Sequence, residues 1–468
     1  MISNFIEYLI LPYFVLINFI YLTLAIYSIY AIFSQKKEIE ANNLGILLKD
    51  EELPSLSIIV PAYNESSSIV FCVQTLLNLA YRKKNLIVVN DGSTDDTFEI
   101  LRQYFRLMRI HMPHQTIIET KPILGYYKSL TYPNLTVVNK KNGKKADAIN
   151  AGINVSNSDF AIIIDADTLI DSKEMNRMIR YLITHPDVEA AGASVRVANN
   201  CKVKLNGITE VHLSDNSIAA FQTVEYLRAF LIGRAGWDLV GGALIISGAF
   251  TFINLEKLKE LGGYDTKTLG EDMELILRYK KFQLENHLSP YTAFLSQPVS
   301  WTEVPEDLKT LSKQRMRWQL GLMQVLWKHR EVFFNPNYGV LGMFIFPFFV
   351  FGEMLSPFVE LLGYIFIIIS LFEPWAWMYG LLFLGLSFGI TTLVNLHAIA
   401  LEQLAFHKYT SAKDILRLIG YAFLENFGYR QMILWWRLKA TKRLLFKQTA
   451  WDVVNKTGFQ RRDKKKSS

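Results

Sequence analysis

Two carboxylates one residue apart, Asp165 and Asp167, follow directly on the unbroken apolar run of residues 160–164. Close carboxylates repel each other, so a positive charge between them is expected. A hard divalent cation, which prefers oxygen ligands, is the obvious candidate; a turn with two solvated aspartates would give the same tripeptide. Polar residues gather in the same way elsewhere: Asn64 and Glu65 after an apolar run at 56–60, Asp91 and Ser93 after another at 86–89. Each group alone is ordinary turn and cap chemistry, but three in succession point to one ligand crevice. Downstream, Gln314, Arg317 and Trp318 stand at i, i+3 and i+4 and so share one helix face. Such a face sets donors for phosphate oxygens or hydroxyls beside a flat apolar ring. It equally suits an amphipathic helix at a membrane surface.

The elements that would position these residues can be read from the apolar pattern. A greasy run without alternation reads as a strand buried on both faces, and open α/β sheets hold ligands beyond the carboxyl ends of such strands. Residues 56–60 form one strand, Ser66 to Ser68 supply cap chemistry for a helix reaching about Ala80, and residues 86–89 form the next strand. Ser93 to Asp95 then cap another helix. Strand, helix and strand at this spacing make a βαβ unit with parallel strands. Neither a G-x-G-x-x-G turn nor a Walker loop is present, which argues against dinucleotide and P-loop chemistry. "EDMELILRYKK" reads as a helix that opens on Glu271 and Asp272, where acids complement the helix dipole.

Half of the 468 residues are hydrophobic, and the excess is localised. Residues 6–33 carry a single charge, Glu7, and are long enough for one membrane span, which needs roughly 20 residues. Residues 339–372 are apolar apart from Glu353 and Glu360, and 375–400 is another candidate span. These runs divide the chain into an N-terminal transmembrane helix (1–38), a cytoplasmic α/β domain (39–337) and a C-terminal membrane region with interfacial helices and a basic tail (338–468). The orientation follows from Lys36 and Lys37 after the first helix, and from Lys328 and Arg330 before the second region. The turn at 372–374 lacks Lys and Arg and is expected outside; His407, Lys408 and Lys413 mark the return. Residues 415–436 have basic flanks at both ends, which suits an interfacial or re-entrant segment better than a simple span. The flanks also account for the net charge of +7. No basic patch interleaved with exposed aromatics marks the α/β region, so a nucleic-acid partner is not expected. Cys72 and Cys201 lie far apart in the cytoplasmic part and read as thiols, not a disulfide.

"SIIVPAYNE", "VVNDGSTDDT", "GKKADAINAG", "DAD", "ISGAF", "GEDMEL" and "QRMRW" occur in the order found in family 2 glycosyltransferases. The chain resembles the processive membrane synthases of that family, which make cellulose, chitin, hyaluronan or poly-N-acetylglucosamine. The resemblance extends over nearly the whole sequence, including the late "YRQMILWWRLKAT". It implies a GT-A fold, a mostly parallel sheet with flanking helices, beside helical transmembrane regions. It also implies a UDP-sugar donor, a growing glycan acceptor, a plasma-membrane location and Mg2+ or Mn2+ as cofactor. By the same resemblance Ala62, Tyr63 and Glu65 line the nucleoside and Asp91 reads the uracil. Lys145, or its neighbour Lys144, lies near the nucleotide. Asp165 and Asp167 form the D-x-D pair, with Asp167 the more direct metal ligand, and Gly248, Ala249 and Phe250 wall the acceptor-sugar site.

Sugar transfer from a nucleotide diphosphate needs the departing charge neutralised, a base for the acceptor proton and a grip on the growing end. Asp165 and Asp167 with a metal suit the first need, Asp272 with Glu271 as its neighbour the second, and Gln314, Arg317 and Trp318 the third. An inverting reaction giving a β-linkage comes from the resemblance alone. Competing expectations are a single transfer to a membrane lipid and a catalytically dead scaffold for a secretion complex, and accessory export subunits are candidate partners. Residues 221–237 mix aromatics with Arg228 and Arg234 and read as apolar helix packing, membrane contact or a cover over the site. Glu353, Glu360 and Arg430, in greasy surroundings, either line a polymer path or pair between helix ends.

Overall fold

The computed structural model describes residues 10–45, 53–112, 117–205, 207–288, 292–372 and 376–446. The first residues of the leading apolar run, most of the expected external turn at 372–374 and the basic tail beyond 446 lie outside these. The chain forms two compact units that do not follow its linear division. One holds the described residues of 34–212 and 243–304; the other holds those of 10–33, 213–242 and 305–446. The linear reading put 213–242 and 305–337 with the α/β domain. Their helices instead bury against the C-terminal helices.

The first unit is built on a ten-stranded sheet. Its strands are β1 (Leu56–Ala62), β2 (Lys84–Asp91), β3 (Leu107–Ile110), β4 (Ile123–Ser129), β5 (Leu135–Lys140), β6 (Phe160–Ile164), β7 (Thr168–Ile170) and β8 (Ala190–Val197). The hairpin β9 (Lys202–Lys204) and β10 (Gly207–Glu210) forms a separate ribbon, and β11 (Phe250–Asn254) and β12 (Thr292–Thr302) complete the main sheet. The order is β3-β4-β5-β2-β1-β6-β11-β8-β12-β7. The central strands β5, β2, β1 and β6 are parallel to one another, as a βαβ reading requires. Outside this core the pairing is antiparallel except for β8 with β12. β3 and β4 extend the sheet beyond β5 as antiparallel strands.

β1, β2 and β6 are buried along nearly their whole length, which is why their sequences do not alternate. Two apolar layers sandwich the sheet. One packs the helix Ile69–Leu77 and the helix Ser172–Thr184, the other the helix Lys144–Val155 and the helix Glu271–Glu285. The strands run further than their apolar cores: β1 reaches Ala62, and β2 takes in Asp91 as its last residue. The helix after β1 stops at Leu77, three residues short of Ala80. Ser68 occupies its N-cap position without capping, because its hydroxyl donates to Glu65 Oε2 at 2.7 Å. Neither cysteine forms a disulfide.

In the second unit two helices, Leu11–Ala41 and Trp377–Phe406, are long and apolar enough to cross a membrane, the first running on past this unit. The apolar stretch at 339–372 is not one straight helix. Leu341–Met354 and Ser356–Ser370 meet at 47°, with Pro357 in the first turn of the second. Proline cannot donate the backbone hydrogen bond that would carry the helix through this point. Residues 415–436 fall on two helices, Ala412–Leu424 and Tyr429–Leu445, joined by a turn with Gly428 at φ +92°. Neither meets the length and hydropathy of a span. The charges in greasy surroundings are partnered: Arg430 pairs with Glu360 at 2.5 Å, Tyr21 donates to Glu353 at 2.9 Å, and Arg228 pairs with Glu425 at 2.8 Å. Residues 221–237 are helical, with a π-helical stretch over Arg228–Arg234.

Candidate active site

Four segments of the sheet unit bring chemistry together at the carboxyl end of β6. The link from β6 to β7 carries Asp165 and Asp167, tightened by the Thr168 amide donating to the Asp165 carbonyl at 2.9 Å. The first turn of the helix Lys144–Val155 supplies Lys145, and the first turn of the helix Glu271–Glu285 supplies Glu271 and Asp272. The residues before β11 supply Gly248.

Lys145 is the centre of this group. Its ammonium lies 2.5 Å from Asp165 Oδ1 and 3.7 Å from Glu271 Oε1, and donates to the Gly248 carbonyl at 2.9 Å. Gly248 is wedged between cation and acid. A Cβ there would sit 3.3 Å from Lys145 Nζ, tight enough that the ammonium would have to give slightly, and in ordinary contact with Asp272 Oδ2 at 3.4 Å. Asp272 accepts the Met273 amide through Oδ1 at 2.9 Å, which fixes its carboxylate at the head of its helix. Asp167 is buried, whereas the Asp165 and Lys145 side chains stay partly open.

Tyr264 is buried near these acids. Burial first, and then the nearby charges of Asp272, Glu271 and Asp165, hold its phenol well above the usual tyrosine range. It remains a neutral hydroxyl at any physiological pH. Asn150 clamps its backbone from both sides, donating to the Tyr264 carbonyl at 2.9 Å and accepting its amide at 2.8 Å. The clamp needs the glycine before it: Gly263 has φ +73°, and a Cβ there would lie 2.5 Å from Asn150 Oδ1. Asn150 stands in the "GKKADAINAG" segment, so that segment delivers Lys145 with one residue and fixes Tyr264 with another.

A second cluster closes the end of β2. Asp91 is 2% exposed and Lys140, the last residue of β5, is fully buried. Lys140 Nζ lies 2.7 Å from Asp91 Oδ1 and also pairs with Asp147, while Asp91 Oδ1 accepts the Gly143 amide at 3.0 Å. Burial raises the Asp91 carboxyl from its ordinary value, and Lys140 and the Gly143 amide oppose the rise. The triad ties β2 and β5 to the start of the helix that carries Lys145. Ala62 is buried, Tyr63 is half-buried and Glu65 is buried at the end of β1. Asn64, with φ +56°, joins this loop to the next: its side chain accepts the Thr94 amide at 2.8 Å, and its own amide donates to Ser93 Oγ at 3.1 Å.

Matches to known proteins show the family. A model described as glycosyl transferase family 2 matches residues 57–218, and one described as glycosyl transferase family group 2 matches residues 160–394, just over half of the chain. The chain belongs to this glycosyltransferase family. A poly-beta-1,6-N-acetyl-D-glucosamine synthase of Staphylococcus epidermidis is 27% identical to this glycosyltransferase over 301 residues, 64% of the chain and 62% of the relative. The protein of the same name from Staphylococcus aureus is 28% identical over 302 residues, with the same coverage. The match thus spans less than two thirds of these relatives. Among solved structures, a mannosyltransferase of Pyrobaculum calidifontis in complex with GDP-Man and Mn2+ has 18% sequence identity and a TM-score of 0.49, covering 92% of this chain and all of that one.

The sequence expectations for this glycosyltransferase meet three outcomes. Asp165, Lys145, Glu271, Asp272 and Gly248 are brought together. Phe250 departs from its expected place at an acceptor wall: as the first residue of β11 it is fully buried in the apolar core, whereas Gly248 and Ala249 are half-buried. Gln314, Arg317 and Trp318 lie on the helix Leu308–Lys328 of the other unit, where the helical spacing holds and Trp318 is 42% exposed. In that motif the sequence reading passed over Arg315. Buried, it forms a two-pronged pair with Glu225 at 2.8 Å on each prong, and its guanidinium lies 4.3 Å over the Trp318 ring. Lys140, Asp147, Asn150 and Tyr264 were also missed. For Asp147 and Asn150 the one signal is that the polar residues of "NKKNGKKADAIN" recur too densely for a helix that must bury a face; Lys140 stands just before that helix, and Tyr264, outside the segment, carries no such signal.

Proposed function

We propose that the protein is a membrane-bound, inverting glycosyltransferase that takes hexosyl units from a UDP-sugar and extends a β-linked polysaccharide, exporting it through its own membrane region. The observation that carries this reading is the convergence of Lys145, Asp165, Glu271, Asp272 and Gly248 at the end of β6. The names of its staphylococcal relatives make UDP-N-acetylglucosamine the first donor to test.

Asp165 and Asp167 would hold Mg2+ or Mn2+. Their donor chemistry fits: both are carboxylates, one partly open, and Asp165 already draws a cation to its oxygen. Among the described residues no group of three or more His, Cys, Asp or Glu side chains forms a metal cage. This suits an ion that takes its remaining ligands from substrate phosphate and water. When bound, such an ion would neutralise the diphosphate as its bond to the sugar breaks. The protein's own groups supply the rest. Asp272 accepts the proton of the acceptor hydroxyl while that oxygen bonds to the anomeric carbon from the face opposite the departing UDP. The UDP leaves with the electron pair of the broken bond. Ala62, Tyr63, Glu65 and Asp91 receive the nucleoside, Asp91 being held in register by Lys140 and Asp147. Gly248 and Ala249 bound the acceptor sugar. Gln314, Arg317 and Trp318 hold the growing end or the diphosphate, with Arg315 bracing the indole from behind.

The catalytic domain faces the cytoplasm in this reading, and the helix Ala412–Leu424 lies in the membrane interface. Leu416, Ile419 and Phe423 are exposed along one side of that helix, whereas Asp414 on its other side is buried and Arg417 meets Asp215 at 3.2 Å. The test uses the full chain in lipid nanodiscs with Mn2+ and, separately, UDP-N-acetylglucosamine, UDP-glucose and UDP-glucuronate. UDP release with a product of many sugar units from one donor supports the proposal. A single sugar on a lipid would replace it with the lipid-transfer reading, and no UDP release from any donor would leave only the scaffold.

A further inference from the structure

We propose that Lys145 is an internal counter-ion that holds the cation position beside Asp165 until a donor diphosphate draws it away, so that metal binding depends on the nucleotide. The inference rests on the donor-and-metal reading above and assigns this chain's lysine a second task within it. Lys145 Nζ is ringed by oxygens: Asp165 Oδ1 at 2.5 Å, the Gly248 carbonyl at 2.9 Å and Glu271 Oε1 at 3.7 Å. Two carboxylates and a carbonyl around one positive charge make a set of hard oxygen donors like those that hold a divalent ion.

Charge balance explains why a lysine stands there. Asp165, Asp167, Glu271 and Asp272 crowd the same strand end, and Tyr264 stays neutral in their field. Without a cation this group of acids would repel itself. The absence of a side chain at Gly248 leaves room for the ammonium, and its carbonyl points at it. A second cation on the same Asp165 oxygen would face the lysine charge at contact range, so ion and ammonium compete for that oxygen. The lysine's next-best partner is a phosphate. Its four-carbon stem leaves the first turn of the helix Lys144–Val155 and is partly open, so the ammonium swings without moving the backbone. A donor diphosphate near the helix start offers that partner. Lys145 then turns from Asp165 to the phosphate and leaves the carboxylate to its cofactor.

The experiment measures binding, not turnover. Full-length protein in detergent is titrated with Mn2+, with and without UDP, and the unbound ion is followed by electron paramagnetic resonance. Lys145→Met and Lys145→Gln keep the length or polarity of the side chain and remove its charge. The wild type is expected to bind Mn2+ about tenfold or more tightly with UDP than without it. Both variants should bind Mn2+ without UDP about tenfold or more tightly than the wild type does, and the gain on adding UDP should shrink. Thermal melting of each variant shows whether the fold persists, and one folded variant suffices. Nucleotide-free Mn2+ affinity that is unchanged or weaker in a folded variant overturns the inference and leaves the donor-and-metal reading intact. Failure of the wild type to bind Mn2+ in either condition sinks both.

Discussion

Replacing Lys140 by methionine would leave two buried carboxylates without their cation. Asp91 and Asp147 are 2% and 5% exposed, and Lys140 between them is fully buried. Breaking a buried ion pair by removing one partner typically costs about 3–5 kcal/mol, because the remaining charge stays desolvated. For a unit of roughly 240 residues, each kcal/mol moves Tm by about 2–4 °C, so a fall of about 6–20 °C is expected near neutral pH. The pH dependence fixes the cause. The Asp91 carboxyl is already raised by burial in the native protein, with Lys140 opposing the rise. Removing Lys140 raises it further. A carboxyl raised on folding binds its proton more tightly in the native than in the unfolded state, so stability is greatest below the ordinary carboxylate pKa and falls as pH climbs through the raised value. Lys140→Met should therefore regain part of its lost Tm relative to the wild type as pH is lowered from neutral toward the ordinary aspartate range. Lys140→Met/Asp147→Asn should recover part of the loss at neutral pH, having one buried charge fewer. Differential scanning fluorimetry across pH in the same detergent measures all three proteins. A Lys140→Met protein that melts with the wild type at every pH would refute the argument, because the charges would then be solvated and the triad would carry no strand-end geometry.

Three further outcomes follow from the candidate site. Gly248→Ala places a methyl 3.3 Å from Lys145 Nζ and in ordinary contact with Asp272 Oδ2 at 3.4 Å, so the ammonium should shift by a fraction of an ångström and sugar transfer should fall by roughly a few-fold with Tm nearly unchanged, as read from initial rates beside a melt. Asp272→Asn should abolish transfer while calorimetry still shows UDP-sugar binding; asparagine is also a good residue at a helix start, so near-normal turnover would reduce Asp272 to a helix-start acid and move the base to Glu271. Trp318→Ala should cut polymer formation more than UDP-sugar hydrolysis, measured by product size and UDP release from one reaction, and equal losses would point to a folding role through Arg315.

The sheet was legible because burial writes itself into composition. β1, β2 and β6 are covered on both faces, and their unbroken apolar runs end where polar chemistry begins. Asp165 could be placed for the same reason, since a strand end is the one place where a carboxylate can follow five apolar residues and still reach an open crevice. The antiparallel edge at β3 and β4 was not legible. Its residues are half exposed, and Arg109, Lys128 and two tyrosines mask any period. The membrane helices were visible in outline, but the 47° bend at Leu355 depends on one proline within an apolar run and does not change the hydropathy of that run.

What escaped the sequence is the set of polar residues that serve other polar residues. Lys140 looks like a surface lysine beside Lys141, and only the register of β5 against β2, which sets Lys140 opposite Asp91, turns it inward. Asn150 lies on a helix where its amide could as well face water, yet it holds both backbone groups of Tyr264, more than a hundred residues away. Such pairings join segments distant in sequence, so no local pattern can announce them. The motif around Lys145 illustrates the consequence. Read along the chain, "GKKADAIN" gives one lysine a role near a nucleotide. Folded, its Lys145 meets Asp165 and Gly248, its Asp147 meets Lys140, and its Asn150 fixes Tyr264. Substituting any of these three should therefore disturb the neighbouring ends of β2 and β6 by a different route. Loss of Asp147 acts through Asp91, loss of Asn150 through Tyr264, and loss of Lys145 on the carboxylates themselves.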